Sequence, residues 1–422
     1  GTSAGAINAA ALACQADRFD EAVAAVARVW HGFHAEQVYR ADAFGVVRSG
    51  ARWLTMLSLG WALRRWRRSD PRSLLDNSPL AELLSQVVAF ARDRLRSAPG
   101  AVFAALRQPT VSVLVRLIDG AATPNATWNK ELAALVLLEL ALAGELPPRE
   151  IVIDCPSRLC LAGAGRALDL PPGTRLSAGP SGVRFDGRDF DLGIDDAAAL
   201  DAYHPIESGI VLATVDNNPL AHVEAHPEKA GNRVDLGERG PTEWVGSLCA
   251  ALGIVRSRFP EMAREIELGV RLVVPVGYSE ERHDSASYAE AVGTIYSSLH
   301  PDPLIMAEAL VHEHSHGKLN ALSALAPLLH NPDGAFHSPL RPDPRPLSGV
   351  LLAAHALVSI AALHQRLRAA KDPLACTPRA QRRFHEVVEQ GRVATQTLIE
   401  DARPTPAGAA LFGELERWLR AD

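Results

Sequence analysis

Cysteine is scarce and unpatterned in this chain: five in 422 residues (Cys14, Cys155, Cys160, Cys249 and Cys376), with no C-x-x-C pair among them. An odd, scattered set suggests neither a thiolate zinc site nor a disulfide framework, and it fits a reducing, cytoplasmic setting. Basic charge is not in excess either. The formal net charge of −6 gives no chain-wide field that would draw in nucleic acid. The longest apolar run, Leu132 to Leu146, is interrupted by Glu139 and Glu145. It reads as a buried helix, so stable membrane insertion is not expected. An initiator Met and a signal peptide are both missing, and the opening Gly1-Thr2-Ser3-Ala4-Gly5 reads as the interior of a longer frame.

What remains is an ordinary globular composition, 47% hydrophobic and 22% charged, over a length that calls for two or three domains. Helical spacing dominates the first 145 residues, with helices expected over Ser3–Trp30, near Pro79–Phe90, and as a pair over Ser97–Gly120 and Asn129–Ala143. Trp53–Trp66 is amphipathic with a basic end and is read as a packed helix, the alternative being one lying on a membrane surface. Pro147-Pro148 ends this part. From Ile151 to Asp191 short β-like runs alternate with Pro/Gly turns. Strands are expected at Ile210–Val215 and Val270–Val276. Helices are expected at Pro241–Arg256, Pro303–His330, Leu347–Ala370, Thr377–Glu400 and Pro406–Arg420. The fold class is therefore mixed and mainly α with small β elements (α+β). Boundaries near 90 and 200 divide it into 1–90, a helical linker with a small β-rich subdomain at 91–200, and a mainly helical domain at 201–422.

Two motifs carry chemistry. Gly1-Thr2-Ser3-Ala4-Gly5 fits G-x-S-x-G, in which small residues let the chain turn sharply and expose a serine. With Trp30, Val38-Tyr39-Arg40 and Ser73-Leu74-Leu75-Asp76-Asn77-Ser78-Pro79-Leu80, the first ~85 residues resemble the front of patatin-like phospholipases. That resemblance implies the remnant of an α/β fold with Ser3 as nucleophile. The strand and oxyanion loop that should precede the serine are missing, and Asp119-Gly120-Ala121 is the D-G-A nearest to complete it. A serine without its base and oxyanion donors is inert, so Ser3 is read as a remnant nucleophile.

The second motif is His312-Glu313-His314-Ser315-His316. His312 and His316 are four apart on a helical segment, so their imidazoles leave one face and can grip one metal ion. Glu313 is placed to act as general base or to ligate directly in a two-His, one-carboxylate set. His314 reads as a surface residue. The metzincin extension is absent, since Leu319 and Leu322 stand at its Gly and His positions.

Further residues join this motif: Asp216-Asn217-Asn218-Pro219-Leu220, Glu224-Ala225-His226-Pro227, Ser287-Tyr288, Gly293-Thr294-Ile295-Tyr296, and Arg341-Pro342-Asp343-Pro344-Arg345-Pro346. Together they resemble the HExxH family of peptide-modifying enzymes from ribosomal natural-product pathways, over ~130–420. That resemblance implies iron(II) and 2-oxoglutarate as cofactors, a precursor peptide as partner, and peptide β-hydroxylation as the reaction. It implies iron on His312 and His316, with His355, inside an otherwise apolar helix, as third ligand. Arg341 and Arg345, in a Pro-stiffened turn, are the candidates for holding the dicarboxylate through their planar forks. Lys318 points elsewhere on the helix. His222 and His226 are read as capping or core residues. Zinc-dependent peptide hydrolysis at the same histidines, acyl hydrolysis through Ser3, and a non-catalytic peptide-binding module are the alternatives.

Overall fold

The computed structural model describes residues 78–120, 125–189, 199–200, 202–222 and 231–421. Ser3 and nearly all of the patatin-like segment, together with Glu224 and His226, lie outside the described residues. In chain order the helices are α1 (Ser78–Ser97), α2 (Pro99–Leu106), α3 (Pro109–Gly120) and α4 (Ala126–Leu142), followed by α5 (Pro241–Arg258) and α6 (Pro260–Gly269). The last four are α7 (Pro303–Leu325), α8 (Leu347–Ala369), α9 (Pro378–Asp401) and α10 (Ala409–Ala421). The strands begin with β1 (Ile151–Asp154), β2 (Arg158–Leu161), β3 (Arg166–Asp169), β4 (Arg175–Gly179), β5 (Gly182–Phe185) and β6 (Arg188–Asp189). They continue with β7 (Ala199–Leu200), β8 (Tyr203–Pro205), β9 (Val211–Ala213), β10 (Leu272–Tyr278), β11 (Ser285–Ala286) and β12 (Thr294–Leu299), and end with β13 (Phe336–Ser338) and β14 (Arg341–Arg345). The architecture is thus mixed, with helix and strand both contributing, as the composition implied.

Two compact units share these elements. Among the described residues the first takes 78–103, 117–159 and 168–189, and the second takes Ala104–Arg116, Cys160–Ala167 and 199–421. In the first, an antiparallel sheet of order β1-β4-β5-β6 packs against α4, which also packs on α1. Buried residues run unbroken from Leu132 to Leu140 of α4, as expected for a helix apolar all round. Asn125 starts it, its side chain accepting from the backbone N–H groups of Thr127 and Trp128. The single helix expected over Ser97–Gly120 is broken between α2 and α3. Pro109 has no N–H to donate and disfavours helical geometry at Gln108 before it.

The second unit is built on a five-stranded sheet of order β11-β12-β10-β9-β8. Its centre is parallel: Leu272 and Val273 of β10 pair with Val211 and Leu212 of β9, and Leu272–Pro275 pair with Thr294–Ser297 of β12. Parallel neighbours need a crossover connection, and α5 with α6 supplies the one from β9 to β10. The edges β8 and β11 are antiparallel. Every residue of β12 is buried, which is how a central parallel strand reads. Sequence reading missed β12 because Ser297 and Ser298 interrupt its apolar run.

Against the sheet lies an apolar core running through α5, α7 and α8, with Trp244, Leu252, Val273, Ile295, Leu310, Leu357 and Leu363 all but fully buried. Asp302 starts α7 by accepting from the Leu304 N–H at 2.9 Å, with Pro303 at the first helical position. The helix α8 is long and apolar enough to cross a bilayer, but 61% of its most apolar window is buried in this core. The Arg341–Arg345 segment is an antiparallel strand against β13 and not a turn. Its prolines alternate with residues that keep their N–H, so an edge strand can tolerate them.

If this core carries the unit, Leu357→Ala should lower the unfolding free energy by about 2–5 kcal/mol in denaturant melts with the slope unchanged. Leu325→Ala, at a position 85% exposed, should stay within about 0.5 kcal/mol of wild type.

Candidate metal centre

The α7 helix carries the H-E-x-x-H residues into the interior of the second unit. One ligand-type atom from each of His312, Glu313 and His316 lies within 4.8 Å of the other two. His312 Nε2 is 3.9 Å from Glu313 Oε1, and His316 Nδ1 is 3.7 Å from Glu313 Oε2. The two imidazole rings are tilted against each other with centroids 4.4 Å apart. The other nitrogen of His316, Nε2, is buried and has no hydrogen-bond partner. Burial, with help from His316, pushes the His312 imidazole down to about 4, so its ring stays neutral and keeps a lone pair.

Glu313 is 3% exposed, which would be costly for a carboxylate without partners. Ser285 Oγ donates to Oε1 at 2.6 Å and Ser287 Oγ donates to Oε2 at 2.7 Å. Burial works to raise this carboxyl, but the two imidazoles and the two hydroxyls outweigh it and hold it below the ordinary range. The serines are two apart at β11, and a strand sends residues i and i+2 to the same face. That Ser-x-Ser alternation was the available signal for them in the sequence, where Ser287 enters only beside Tyr288 in the wider resemblance and neither serine is given a role.

One turn earlier on α7, Glu308 is also buried. It accepts from His364 Nε2 of α8 and from Arg383 Nε of α9, both at 2.8 Å. Here too burial acts against the charge and the two partners overcome it, leaving the carboxyl below its usual range. A cavity of about 500 Å³ opens beside this network, within the size range of small-molecule sites. Its walls include His283, Ser285, Glu308, His312, Arg379 and Arg383. Apart from His312, none of these was singled out from sequence, because α9 and the loop before β11 reach the site only through the fold.

The remaining candidates fall elsewhere. The structure brings Glu313, and not His355, to the two imidazoles. His355 sits on α8 with Nδ1 3.1 Å from the Ser315 carbonyl, so it is tied to the α7 backbone and lies outside the three-residue group. Burial pushes its ring down to about 4. Arg345 lies 3.4 Å from Asp343 in its own strand and does not line the cavity. Arg341 stands opposite Ser338 in the β13–β14 pairing. His314 is buried rather than at the surface, packed so closely on Gly269 that a Cβ there would come within 2.8 Å of its ring. Lys318 does point elsewhere, pairing with Glu265 at 2.7 Å. His222 is exposed and not part of the cavity wall.

No family model matches this chain, and no curated protein matches it. The chemistry has to be read from the geometry. Two imidazole nitrogens and one carboxylate around a single point, next to a cavity, form a set that can hold a divalent transition metal while leaving positions open.

Removing a partner from a buried carboxylate should be felt in stability. Arg383→Ala leaves Glu308 with His364 alone and should cost about 1–3 kcal/mol, read from thermal or denaturant melts. The paired change Glu308→Gln with Arg383→Ala should recover part of that loss, since the uncompensated charge is then gone.

Proposed function

We propose that the second unit is a metal-dependent oxygenase acting on a ribosomally made precursor peptide, with iron(II) held by His312, His316 and Glu313 and 2-oxoglutarate as cosubstrate. The observation that carries this reading is the convergence of those three ligand-type atoms within 4.8 Å beside a cavity of about 500 Å³. The unpartnered, buried Nε2 of His316 supports it, because a buried ring nitrogen with no hydrogen-bond partner is a cost that a metal ion would remove. A two-His, one-carboxylate set with open positions suits non-haem iron. Bound there, iron would supply the oxidative chemistry by which 2-oxoglutarate, dioxygen and a peptide C–H bond become succinate, carbon dioxide and a hydroxylated peptide.

The chain's own residues do the positioning. Ser285 and Ser287 fix both oxygens of Glu313 and so set the direction from which the carboxylate meets the two imidazoles. The His355 contact to the Ser315 carbonyl anchors α8 to α7 between the two histidines' neighbours. Glu308, with His364 and Arg383, holds the preceding turn of α7 against α8 and α9.

The second reading is zinc-dependent peptide hydrolysis, which the H-E-x-x-H spacing itself favours, with Glu313 as base toward a water. Both oxygens of Glu313 are already engaged by serine hydroxyls, and that favours a fixed ligand over a base that must take up and release a proton. Acyl hydrolysis through Ser3, the remnant patatin-like fold of the first segment and a cytoplasmic setting rest on the sequence alone.

Anaerobic addition of iron(II) and then 2-oxoglutarate should produce a weak visible charge-transfer band. His312→Ala and His316→Ala should abolish both the band and stoichiometric metal binding. Tight zinc binding without any band, together with cleavage of a peptide, would sink the oxidative reading in favour of the hydrolytic one. The double variant Ser285→Ala, Ser287→Ala should keep the fold and weaken metal binding by about 10–100-fold in competition with a chelating indicator.

A further inference from the structure

The cavity beside His312 has an uneven hydrogen-bonding inventory. Its three carboxylates are engaged: Asp302 caps α7 through Leu304, Glu308 accepts from His364 and Arg383, and Glu386 lies 3.8 Å from Arg383. Several of its donors are not. The Asp302 backbone N–H reaches His300 Nδ1 at 2.9 Å, and a backbone amide can only donate. His300 Nδ1 is therefore an acceptor, so the ring proton sits on Nε2, where the Glu280 carbonyl accepts it at 3.1 Å. Arg379 Nη2 approaches that same Nε2 at 3.2 Å and so meets a donor. Among the described residues no acceptor lies within hydrogen-bond or ion-pair distance of Arg379 or Arg382, which line the cavity three apart on α9.

His283 adds a third polar group without a partner. Ser298 Oγ accepts from the Asp284 N–H at 2.8 Å and lies 3.2 Å from His283 Nδ1. When the Ser298 hydroxyl proton makes that second contact, the His283 proton sits on Nε2. That nitrogen is buried and has no partner, in a residue lining the same cavity as His312.

A buried ring nitrogen without a partner and two guanidinium groups without an acceptor, in a cavity whose three carboxylates each already meet a donor, suit a ligand rich in acceptors and negatively charged. We propose that this cavity binds a carboxylate-bearing ligand through His283 Nε2–H, Arg379 and Arg382, with His312 at its wall. This replaces Arg341 and Arg345 as the anion-holding residues. It deepens the metal-centre reading and rests on it only for which part of the ligand faces the chemistry. The carboxylate can come from a free dicarboxylate or from an acidic side chain of a peptide, and the two sources are separable.

The test is calorimetry on the full chain, metal-free and zinc-loaded, with four probes: glutarate, 2-oxoglutarate, N-acetylglutamate amide and the neutral glutaramide. Metal content is measured on the same samples, so loss of metal binding and loss of carboxylate binding are read separately. Binding of glutarate or of N-acetylglutamate amide, with none for glutaramide, supports the proposal, and whichever binds more tightly names the source. Arg379→Ala and Arg382→Ala, both at exposed positions, should each weaken that binding by about tenfold. His283→Gln, which keeps an N–H donor, should bind better than His283→Leu. The proposal is overturned if no carboxylate probe binds better than glutaramide, or if the arginine variants, shown folded by their melting curves, bind the carboxylates as wild type does. Carboxylate binding by a wild-type chain that takes up no metal would remove the metal-centre reading and leave this one standing.

Discussion

The burial of the Glu313 carboxylate on α7 is the constraint on which the second unit's interior depends. An ionised carboxylate withdrawn from water costs several kcal/mol unless its oxygens are met by partners. No neighbour in sequence supplies them except the two histidines of its own helix. The rest comes from Ser285 and Ser287, so the short edge strand β11 has to lie beside α7 at one particular register. β11 in turn pairs with β12, with Ser285 opposite Ser297 and Ala286 opposite Tyr296, which fixes the edge of the sheet relative to the helix. A polar requirement inside a helix thus decides where a strand ends up.

The same logic applies one turn earlier. Glu308 draws His364 from α8 and Arg383 from α9 to its two oxygens, so two acids five residues apart tie a single helix to a strand and to two further helices. Apolar packing supplies most of the favourable free energy here, through side chains such as Trp244, Leu310, Leu357 and Leu363. Packing of that kind tolerates sliding and repacking, whereas a buried carboxylate with two fixed partners does not. The division of labour is that burial holds the helices together and the two glutamates fix how they are aligned. A site that has to keep its nitrogen and oxygen atoms within a few ångströms of one point needs the second as much as the first.

Much of the secondary structure was legible because its signals are local. The long apolar helices α4, α7 and α8 were found from hydrophobic runs, and their starts coincide with Asn125, with Asp302-Pro303 and with Pro346 before Leu347. The two histidines of the metal group were legible for the same reason, since a spacing of four on a helix is a statement about one face. Arg341–Arg345 reads as a turn because closely spaced prolines, here Pro342 and Pro344, usually mark one, and only pairing with β13 shows that the segment runs as a strand. β12 was missed because its serines look polar on their own and become compatible with burial only once they find partners, Ser297 donating to the Ser298 carbonyl and Ser298 accepting from the Asp284 N–H.

By itself, then, the sequence determined which helices form, that His312 and His316 share a face, and that Glu313 stands between them. Helix formation and i,i+4 spacing depend on residues close along the chain. Only the tertiary structure decided that Glu313 rather than His355 joins the imidazoles. It also brought Ser285, Ser287, His283, Arg379 and Arg383 to the site, and set Arg345 apart from it. Those outcomes depend on contacts between residues far apart in the chain, such as Ser287 to Glu313, 26 positions apart, and Arg383 to Glu308, 75 positions apart. They are settled by which buried charges find partners when the helices and the sheet pack, and no local pattern encodes that.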